Sequence, residues 1–250
     1  MSLFSANQLI LITGASSGIG RAIALRVHAE GATVIAHGRD EVRLASLQER
    51  VTQRERMCTE RRDLLQDMEH LPNWMSDLCK KYGRLSGLVC AAGITWNSPM
   101  SYYPLEKAHE IFDINCHAPL ILGGTFCNKR NNTGPGSAVV YISAAASVAP
   151  NPGQGMYGAS KGALVAAARC QAREAAPAGV RVNCISPGLV KTPMADTTVR
   201  QLGQAFVERE EACYPLGFGK AEDVASLTVF LLSKEASWMT GQNILLTGGR

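Results

Sequence analysis

QLILITGASSGIG, at Gln8–Gly20, joins a short apolar run to a glycine-rich turn. Gln8–Thr13 predicts a buried β-strand, and the alanine-rich run Arg21–Glu30 predicts an amphipathic helix that ends at Gly31. Glycines between a strand and a helix let the backbone approach a pyrophosphate, and the free amides at the helix start attract its negative charge. The glycine spacing differs from the commoner Gly-x-Gly-x-x-Gly, yet the strand–turn–helix setting predicts nucleotide binding.

The residues after the second predicted strand, Thr33–Ala36, bear on which nucleotide fits. An NAD-binding unit places an acid about 20 residues beyond the glycines to hold the ribose 2′-hydroxyl, and Asp40 is the only candidate. Asp40 stands just before a polar helical run, so it is better interpreted as an N-cap. Arg39 is placed to meet a 2′-phosphate. The sequence therefore favours NADP(H) over NAD(H), with a solvated surface arginine as the alternative.

A second segment, GQGMYGASKGAL at Gly153–Leu164, places Tyr157 and Lys161 one helical turn apart. A tyrosine has a pKa of about 10, and lowering it to about 7 requires about 4 kcal/mol. One ammonium about 4 Å away supplies about 4 kcal/mol at an effective dielectric near 20, so we expect Lys161 to lower the pKa of Tyr157. This spacing also occurs by chance in amphipathic helices. The glycine turn and a buried strand ending in a hydroxyl, SAVVYIS at Ser137–Ser143, favour catalysis.

Strands alternate with helices along the rest of the chain. This alternation predicts an α/β fold in one domain over residues 1–250, a Rossmann-type doubly wound parallel sheet of about seven strands with helices on both faces. Further strands are expected at Arg56–Glu60, Leu85–Ala92, Ala138–Ile142, Val180–Ile185 and Asn243–Leu246, and helices from Asp40 to about Arg54 and at Pro72–Tyr82, Pro104–Arg130, Tyr157 to about Gly179 and Ala221–Leu232.

Two of these segments carry more specific expectations. The long helix from Pro104 contains Asn115, and Pro119 should kink it. Residues 192–219 lack a clear strand, which predicts a substrate lid in this segment.

Composition narrows the class of protein. The chain has 250 residues, of which 46% are hydrophobic and 18% charged. The apolar run Leu9–Ile12 is too short for a signal peptide, and no stretch approaches the ~18 apolar residues of a membrane span, so we expect a cytoplasmic protein with no membrane partner. Eight scattered cysteines and five histidines show no ligand spacing, which predicts no metal site and no disulfide framework. The mild net charge of +4 gives no support to nucleic-acid binding.

Together these residues resemble the short-chain dehydrogenase/reductase family, in its single-domain branch, over Leu9 to about Gly248. TGASSGIG resembles the family's cofactor turn, and Asp63-Leu64 resembles its adenine-contacting pair. The resemblance implies a catalytic tetrad at Asn115, Ser143, Tyr157 and Lys161. It implies cofactor binding by Gly14, Ser16, Ser17, Gly18, Ile19, Gly20, Arg39, Asp63, Leu64, Ala91, Ala92, Gly93, Tyr157, Lys161, Pro187, Gly188, Val190 and Thr192.

Two segments depart from the family pattern. The usual Asn-Asn-Ala-Gly after strand four is Cys90-Ala91-Ala92-Gly93 here, which removes a side-chain amide that braces the sheet. Pro215–Gly219 is one residue shorter than the family's common form and lacks its arginine.

The resemblance implies hydride transfer between NADP(H) and a carbonyl or secondary alcohol, with reduction by NADPH as the expected direction. Tyr157 would protonate the developing alkoxide, and Ser143 would hydrogen-bond the substrate oxygen. Lys161 would lower the pKa of Tyr157 and hold the nicotinamide ribose, and Asn115 would hold a water that links Lys161 to solvent. The family further implies a homotetramer or homodimer.

The substrate stays open at this stage beyond a small carbonyl compound. Many family members reduce 3-oxoacyl thioesters on acyl carrier protein, and Lys129, Arg130 and Arg173 could dock that acidic partner, with solvated helix-end charges as the plainer interpretation. One alternative function is an NAD-dependent alcohol, sugar or polyol dehydrogenase. Another is a non-catalytic NADP(H)-binding sensor or scaffold, against which the intact Tyr157 and Lys161 argue.

Overall fold

A computed structural model describes residues 2–196 and 204–250 of the chain. The strands are β1 (Leu9–Thr13), β2 (Thr33–Gly38), β3 (Met57–Arg61), β4 (Gly87–Cys90), β5 (Ala138–Ile142), β6 (Arg181–Pro187), β7 (Val190–Lys191), β8 (Gly219–Lys220) and β9 (Asn243–Leu246). The α-helices are α1 (Gly18–Ala29), α2 (Glu41–Gln48), α3 (Leu71–Tyr82), α4 (Leu105–Phe112), α5 (Ala118–Cys127), α6 (Gly155–Ala175), α7 (Gln204–Glu211) and α8 (Ala221–Leu232).

Seven strands form one parallel sheet in the order β3-β2-β1-β4-β5-β6-β9, so the predicted doubly wound fold is confirmed. The strand order reverses between β1 and β4, which pair in parallel with Leu11 opposite Leu88. In such sheets a ligand-binding crevice opens outside the carboxyl ends of the strands at this reversal. Here those ends carry the glycine turn and Ala91–Gly93.

Helices cover both faces of the sheet. Successive side chains of a strand point to opposite faces, so each strand contributes to two apolar layers. Ile10 and Ile12 of β1 pack in one apolar layer with residues of α1, α2 and α8. Leu9 and Leu11 pack in the other layer with residues of α3, α5 and α6. Among the described helices, none is long and apolar enough to cross a membrane.

The helix expected over Pro104–Arg130 contains a π-helical turn. Helix α4 ends at Phe112, and Asp113–His117 forms this turn and leads directly into α5. Pro119 lies in the first turn of α5, and the kink expected there stays a prediction. This wider turn contains Asn115, which contacts the site described below. π-turns commonly occur at functional positions.

Other boundaries differ from expectation as well. The polar helix α2 ends at Gln48 instead of near Arg54, and a short 3₁₀ turn, Arg54–Arg56, precedes β3. Strand β4 begins at Gly87, while Leu85 makes an isolated bridge to Asn132.

The segment predicted as a lid is framed by a small sheet that the sequence did not indicate. Val190 pairs with Gly219 and Lys191 with Lys220 in the parallel β7–β8 ladder. Helix α7 lies within the predicted lid segment, and residues 197–203 lie outside the described residues.

Two adjacent glycines in α5 provide a test of the packing. A Cβ on Gly123 would stand 1.7 Å from the Tyr141 hydroxyl, whereas a Cβ on Gly124 would meet nothing within 4 Å. Gly123→Ala should therefore destabilise the fold through overpacking, by about 1–3 kcal/mol. Gly124→Ala should stabilise it by about 0.5–1 kcal/mol, because alanine restricts the unfolded chain. Denaturant unfolding of both variants measures this, and equal shifts would contradict the packing described here.

Candidate active site

The glycine turn forms one wall of a cleft of about 610 Å³. Gly14 has a φ of +70°, and a Cβ there would stand 2.7 Å from the Ala92 amide nitrogen. A Cβ on Gly20 would stand 2.3 Å from the Gly14 carbonyl oxygen. The N-cap residue Ser17 makes no side-chain capping bond, so amides at the start of α1 are left for an anion. Glycines without room for a side chain and a bare helix start fit a dinucleotide pyrophosphate.

Most of the predicted site residues line this one cleft. Asn115 lies behind its wall, and three predicted cofactor residues, Pro187, Gly188 and Val190, line an adjoining cavity of about 240 Å³. The predicted residues in the cleft itself are Gly14, Ser16, Ser17, Gly18, Ile19, Gly20, Arg39, Asp63, Leu64, Ala91, Ala92, Gly93, Ser143, Tyr157, Lys161 and Thr192.

The two cavities meet at two members of the predicted catalytic tetrad, Ser143 and Tyr157. Ser143 and Tyr157 line both cavities, as do Ile19, Thr192 and Met194. A compound in the smaller cavity would thus reach both Ser143 and Tyr157.

Thr13 braces the end of β4, where the family's amide side chain is missing. Its buried hydroxyl oxygen accepts hydrogen bonds from the Ala91 and Ala92 amides at 3.2 and 3.3 Å. The Cys90 side chain is buried beside these residues. The last residue of β1 therefore ties the carboxyl ends of β1 and β4 together without that amide.

Asn115 fixes the chain just beyond β4. Its Oδ1 accepts from the Ile94 amide at 3.0 Å, and its Nδ2 donates to the Ile94 carbonyl at 3.0 Å and to Ser160 Oγ at 3.1 Å. A Cβ on Gly93 would stand 2.8 Å from Asn115 Oδ1, so only glycine fits there. Both amide hydrogens of Asn115 are used in this way, and its expected water-holding role stays a prediction.

Lys161 is a buried cation at the end of β5. Its Nζ donates to the Ile142 carbonyl at 2.9 Å, and Lys161 as a whole is 5% exposed. Burial lowers the pKa of Lys161 to about 8. The Ser143 hydroxyl donates to the Lys161 carbonyl at 3.1 Å, which holds the strand end against α6.

The structure contradicts the expectation that Lys161 lowers the pKa of Tyr157. Burial raises the pKa of Tyr157 to about 12. The reason is that loss of water around the phenol disfavours the phenolate, while the ammonium is bonded to the Ile142 carbonyl. Tyr157 is therefore a protonated phenol at neutral pH.

At the other end of the cleft, Asp40 caps α2 as predicted. Its Oδ1 accepts from the Arg43 amide at 3.0 Å, and its Oδ2 lies 3.0 Å from Arg43 Nε. Arg39 lies at the rim with its side chain 66% exposed and its Nη1 3.6 Å from Asp63 Oδ2. A Cβ on Gly38 would stand 3.0 Å from the Ser16 Cβ, which disfavours an acidic side chain at that position.

Comparisons with known proteins identify the family of this chain. The family model described as enoyl-(acyl carrier protein) reductase matches residues 14–250. The chain is 36% identical over 242 residues to the 3-oxoacyl-[acyl-carrier-protein] reductase of Rickettsia conorii, covering 96% of this chain and 95% of that protein. The chain belongs to the short-chain dehydrogenase/reductase family.

Solved members of this short-chain dehydrogenase/reductase family have the same fold. One from Brucella melitensis, named a short-chain dehydrogenase/reductase and glucose/ribitol dehydrogenase, matches with a TM-score of 0.90 and 29% identity, over 100% of this chain and 98% of that one. A structure from Beutenbergia cavernae, named for an NAD(P)-dependent gluconate 5-dehydrogenase with NADP bound at low occupancy, matches with a TM-score of 0.88 and 29% identity over the same shares. This short-chain dehydrogenase/reductase is an oxidoreductase acting on CH–OH or C=O groups.

Several residues that line the cleft of this short-chain dehydrogenase/reductase were not predicted as site residues. One of them is Arg43, which lies in the first turn of α2 and which no motif marks. His37 is another, and burial lowers its pKa to about 4. The others are Leu65, Ile94, Glu110, Ile114 and Ile142.

The buried Lys161 predicts a pH-dependent stability. Its folded pKa of about 8 lies below the ordinary lysine value of 10.5, so the charged form is penalised by folding. The penalty applies in full below about pH 8 and disappears as the pH rises toward 10.5. Lys161→Met removes it, so the stability of this variant relative to wild type should fall by about 2–3 kcal/mol between pH 7 and 10.

Urea unfolding at both pH values measures this difference. Lys129→Met, at an exposed lysine, serves as the control and should show no comparable change between the two pH values. A constant difference for Lys161→Met would mean that the ammonium is not buried in solution.

Proposed function

We propose that this chain reduces a ketone to a secondary alcohol with NADPH, using Tyr157 as the general acid. The carrying observation is that Tyr157 and Ser143 line both the dinucleotide-shaped cleft and the smaller cavity. NADPH in the cleft would supply the hydride. Gly14, Gly20 and the start of α1 would hold its pyrophosphate, while Asp63 and Leu64 would contact adenine.

The protonation state of Tyr157 favours reduction over oxidation. A carbonyl that gains a hydride needs a proton on its oxygen, and the raised pKa of Tyr157 keeps that proton in place at neutral pH. Alcohol oxidation would instead need the phenolate, which burial disfavours. Oxidation is therefore expected to be faster at higher pH, where more of the Tyr157 side chain is deprotonated.

Ser143 and Lys161 take supporting roles in this proposal. The Ser143 hydroxyl would turn from the Lys161 carbonyl to donate to the substrate oxygen, where negative charge develops. Lys161, held by Ile142, would bond the nicotinamide ribose and resupply the proton of Tyr157. Asn115 would keep Ile94 and the adjacent Gly93 in place beside the ammonium.

For the substrate, we propose a 3-oxoacyl thioester, in line with the 3-oxoacyl reductase of Rickettsia conorii. The three residues predicted to dock a carrier protein do not lie at the mouth of the cleft in their own chain. Lys129 and Arg130 precede β5, at the end of the strand opposite Ser143. Arg173 is 16 residues from Tyr157 along α6, or about 24 Å. A docking role for these three residues would need a second copy, as in the expected homotetramer or homodimer.

Turnover assays separate this proposal from its rivals. NADPH oxidation should occur with 3-oxoacyl thioesters of pantetheine or coenzyme A. The description of the matching family model names enoyl reduction, so 2-enoyl thioesters form the second arm. Glucose, ribitol and gluconate with NADP⁺ or NAD⁺ test the sugar dehydrogenase alternative. Tight NADPH binding with no turnover in any arm would favour the non-catalytic sensor or scaffold.

Tyr157→Phe tests the general acid. The variant keeps the ring and removes the proton, so kcat should fall by at least about 100-fold. NADPH affinity, measured by fluorescence titration, should hardly change. Tyr82→Phe, at a tyrosine bonded to Glu60 away from the cleft, is the matched control. Near-normal turnover in Tyr157→Phe would exclude the proposed role.

Arg39→Ala tests the cofactor preference. A charge-assisted contact to the 2′-phosphate is worth roughly 1.5–3 kcal/mol, so we expect kcat/KM for NADPH to exceed that for NADH by about 10- to 150-fold. The variant should lose most of this preference and leave NADH use nearly unchanged. Arg50→Ala, at an exposed arginine outside the described cleft lining, is the control. Wild-type preference for NADH would mean that Asp40 faces the ribose instead.

A further inference from the structure

The cavity of about 240 Å³ beside Ser143 and Tyr157 is mainly apolar, and under the proposed function it holds the substrate. Small aliphatic side chains line much of it: Ala144, Ala145, Ala146, Val148, Ala149, Leu189, Val190 and Leu245. A compact group of polar side chains completes the wall and comes from three segments distant in sequence. These are Asn151 before α6, Glu210 and Tyr214 in and after α7, and Arg250 beyond β9.

The polar side chains form a closed ring of hydrogen bonds. Arg250 donates from Nη1 to Glu210 Oε2 and from Nη2 to Asn151 Oδ1, the latter at 2.8 Å. Asn151 Nδ2 closes the ring by donating to Glu210 Oε2 at 3.3 Å. Arg250 Nη1 also donates to the Tyr214 hydroxyl at 3.1 Å, whose oxygen accepts from the Leu189 amide at 2.9 Å.

The side chains of the ring carry no net charge. Glu210 and Arg250 are the only charged residues among the described residues that line the cavity, and they are paired with each other. The Glu210 side chain is 6% exposed and that of Arg250 is 29% exposed. A carboxylate entering this cavity would lose part of its hydration, meet no unpaired cation among the described lining residues and lie near the Glu210 carboxylate. Burying an ion without a partner is costly, whereas an ester or thioester carries no such penalty.

We propose that the Glu210–Arg250–Asn151 ring selects substrates that carry no charge near the reacting carbonyl, and rejects those with a carboxylate there. The proposal rests on the proposed function, and it names the substrate class of the same site. 3-Oxoacyl esters and thioesters fit this class, and free 3-oxo acids and sugar acids do not. Glu210 and Arg250 are specificity-determining residues in this proposal and take no part in the proton transfer.

A matched pair of ketones tests the selection in the unmodified protein. Ethyl 3-oxobutanoate and 3-oxobutanoate share the reacting ketone, and at pH 7 only the second carries a carboxylate. With saturating NADPH, kcat/KM should be higher for the ester by at least about 10-fold, mainly through KM, because the cost is one of binding. Equal values for the two compounds would overturn the proposal while leaving the proposed reduction intact.

Glu210→Gln tests the role of the ring. Glutamine retains an oxygen that can accept from Arg250, but it leaves the arginine charge unbalanced, so the cavity becomes an anion site. The ratio of kcat/KM for ester over acid should fall by about 10-fold or more. A purely structural defect would lower both values together and leave the ratio unchanged, which would count against the proposal. Glu211→Gln, at the exposed neighbour in α7, is the control and should keep the wild-type ratio.

Calorimetric titration of the protein saturated with NADP⁺ tests the substrate selection by binding alone, independently of the proposed reaction. The ester should bind and the acid should bind at least about 10-fold more weakly, whether or not either is turned over. Binding of the ester without turnover would refute the reaction and support the selection. Acid binding equal to that of the ester, or no binding of the ester at all, would refute the selection. This measurement on the wild type also decides the question if Glu210→Gln fails to fold.

Discussion

The buried ammonium of Lys161 is the constraint around which the ends of β4 and β5 are arranged. Its Nζ bonds the carbonyl of Ile142, the last residue of β5. A Cβ on Gly93 would stand 3.4 Å from this Nζ and 2.8 Å from Asn115 Oδ1, so the chain beyond β4 passes here only as glycine. A buried cation costs stability that a methionine would not. Such a cost is typical where selection favours chemistry over folding.

The residues around Lys161 show which parts of the site could be predicted from sequence. The glycine turn, the strand–helix alternation, the Tyr157–Lys161 spacing and the Asp40 cap are local patterns, and each one appears in the structure. The π-turn at Asp113–His117 was not predicted from the sequence. The raised pKa of Tyr157 depends on burial that only the assembled site provides.

The same distinction explains why the Glu210–Arg250–Asn151 ring could not be predicted from the sequence. Arg250 bonds Glu210 across 40 residues and Asn151 across 99, and neither pairing leaves a spacing that a motif could record. Thr13, which ties the end of β1 to Ala91 and Ala92 across 78 and 79 residues, was missed for the same reason. The family pattern pointed to a loss at Cys90 and Ala91, whereas the bracing comes from a residue inside the glycine motif.

Exposure separates the arginines of the two cavities by role. The side chains of Arg39 and Arg43 are 66% and 58% exposed at the rim of the larger cleft. A guanidinium there is already hydrated and can exchange water for phosphate oxygens at small cost. Arg250 lies deeper and is tolerated because Glu210, Tyr214 and Asn151 use its hydrogens. Under the proposed function, one chain can therefore recognise a highly charged cofactor at the rim of its cleft and still offer an uncharged pocket to the substrate, because the guanidinium among the described residues that line this pocket is already paired.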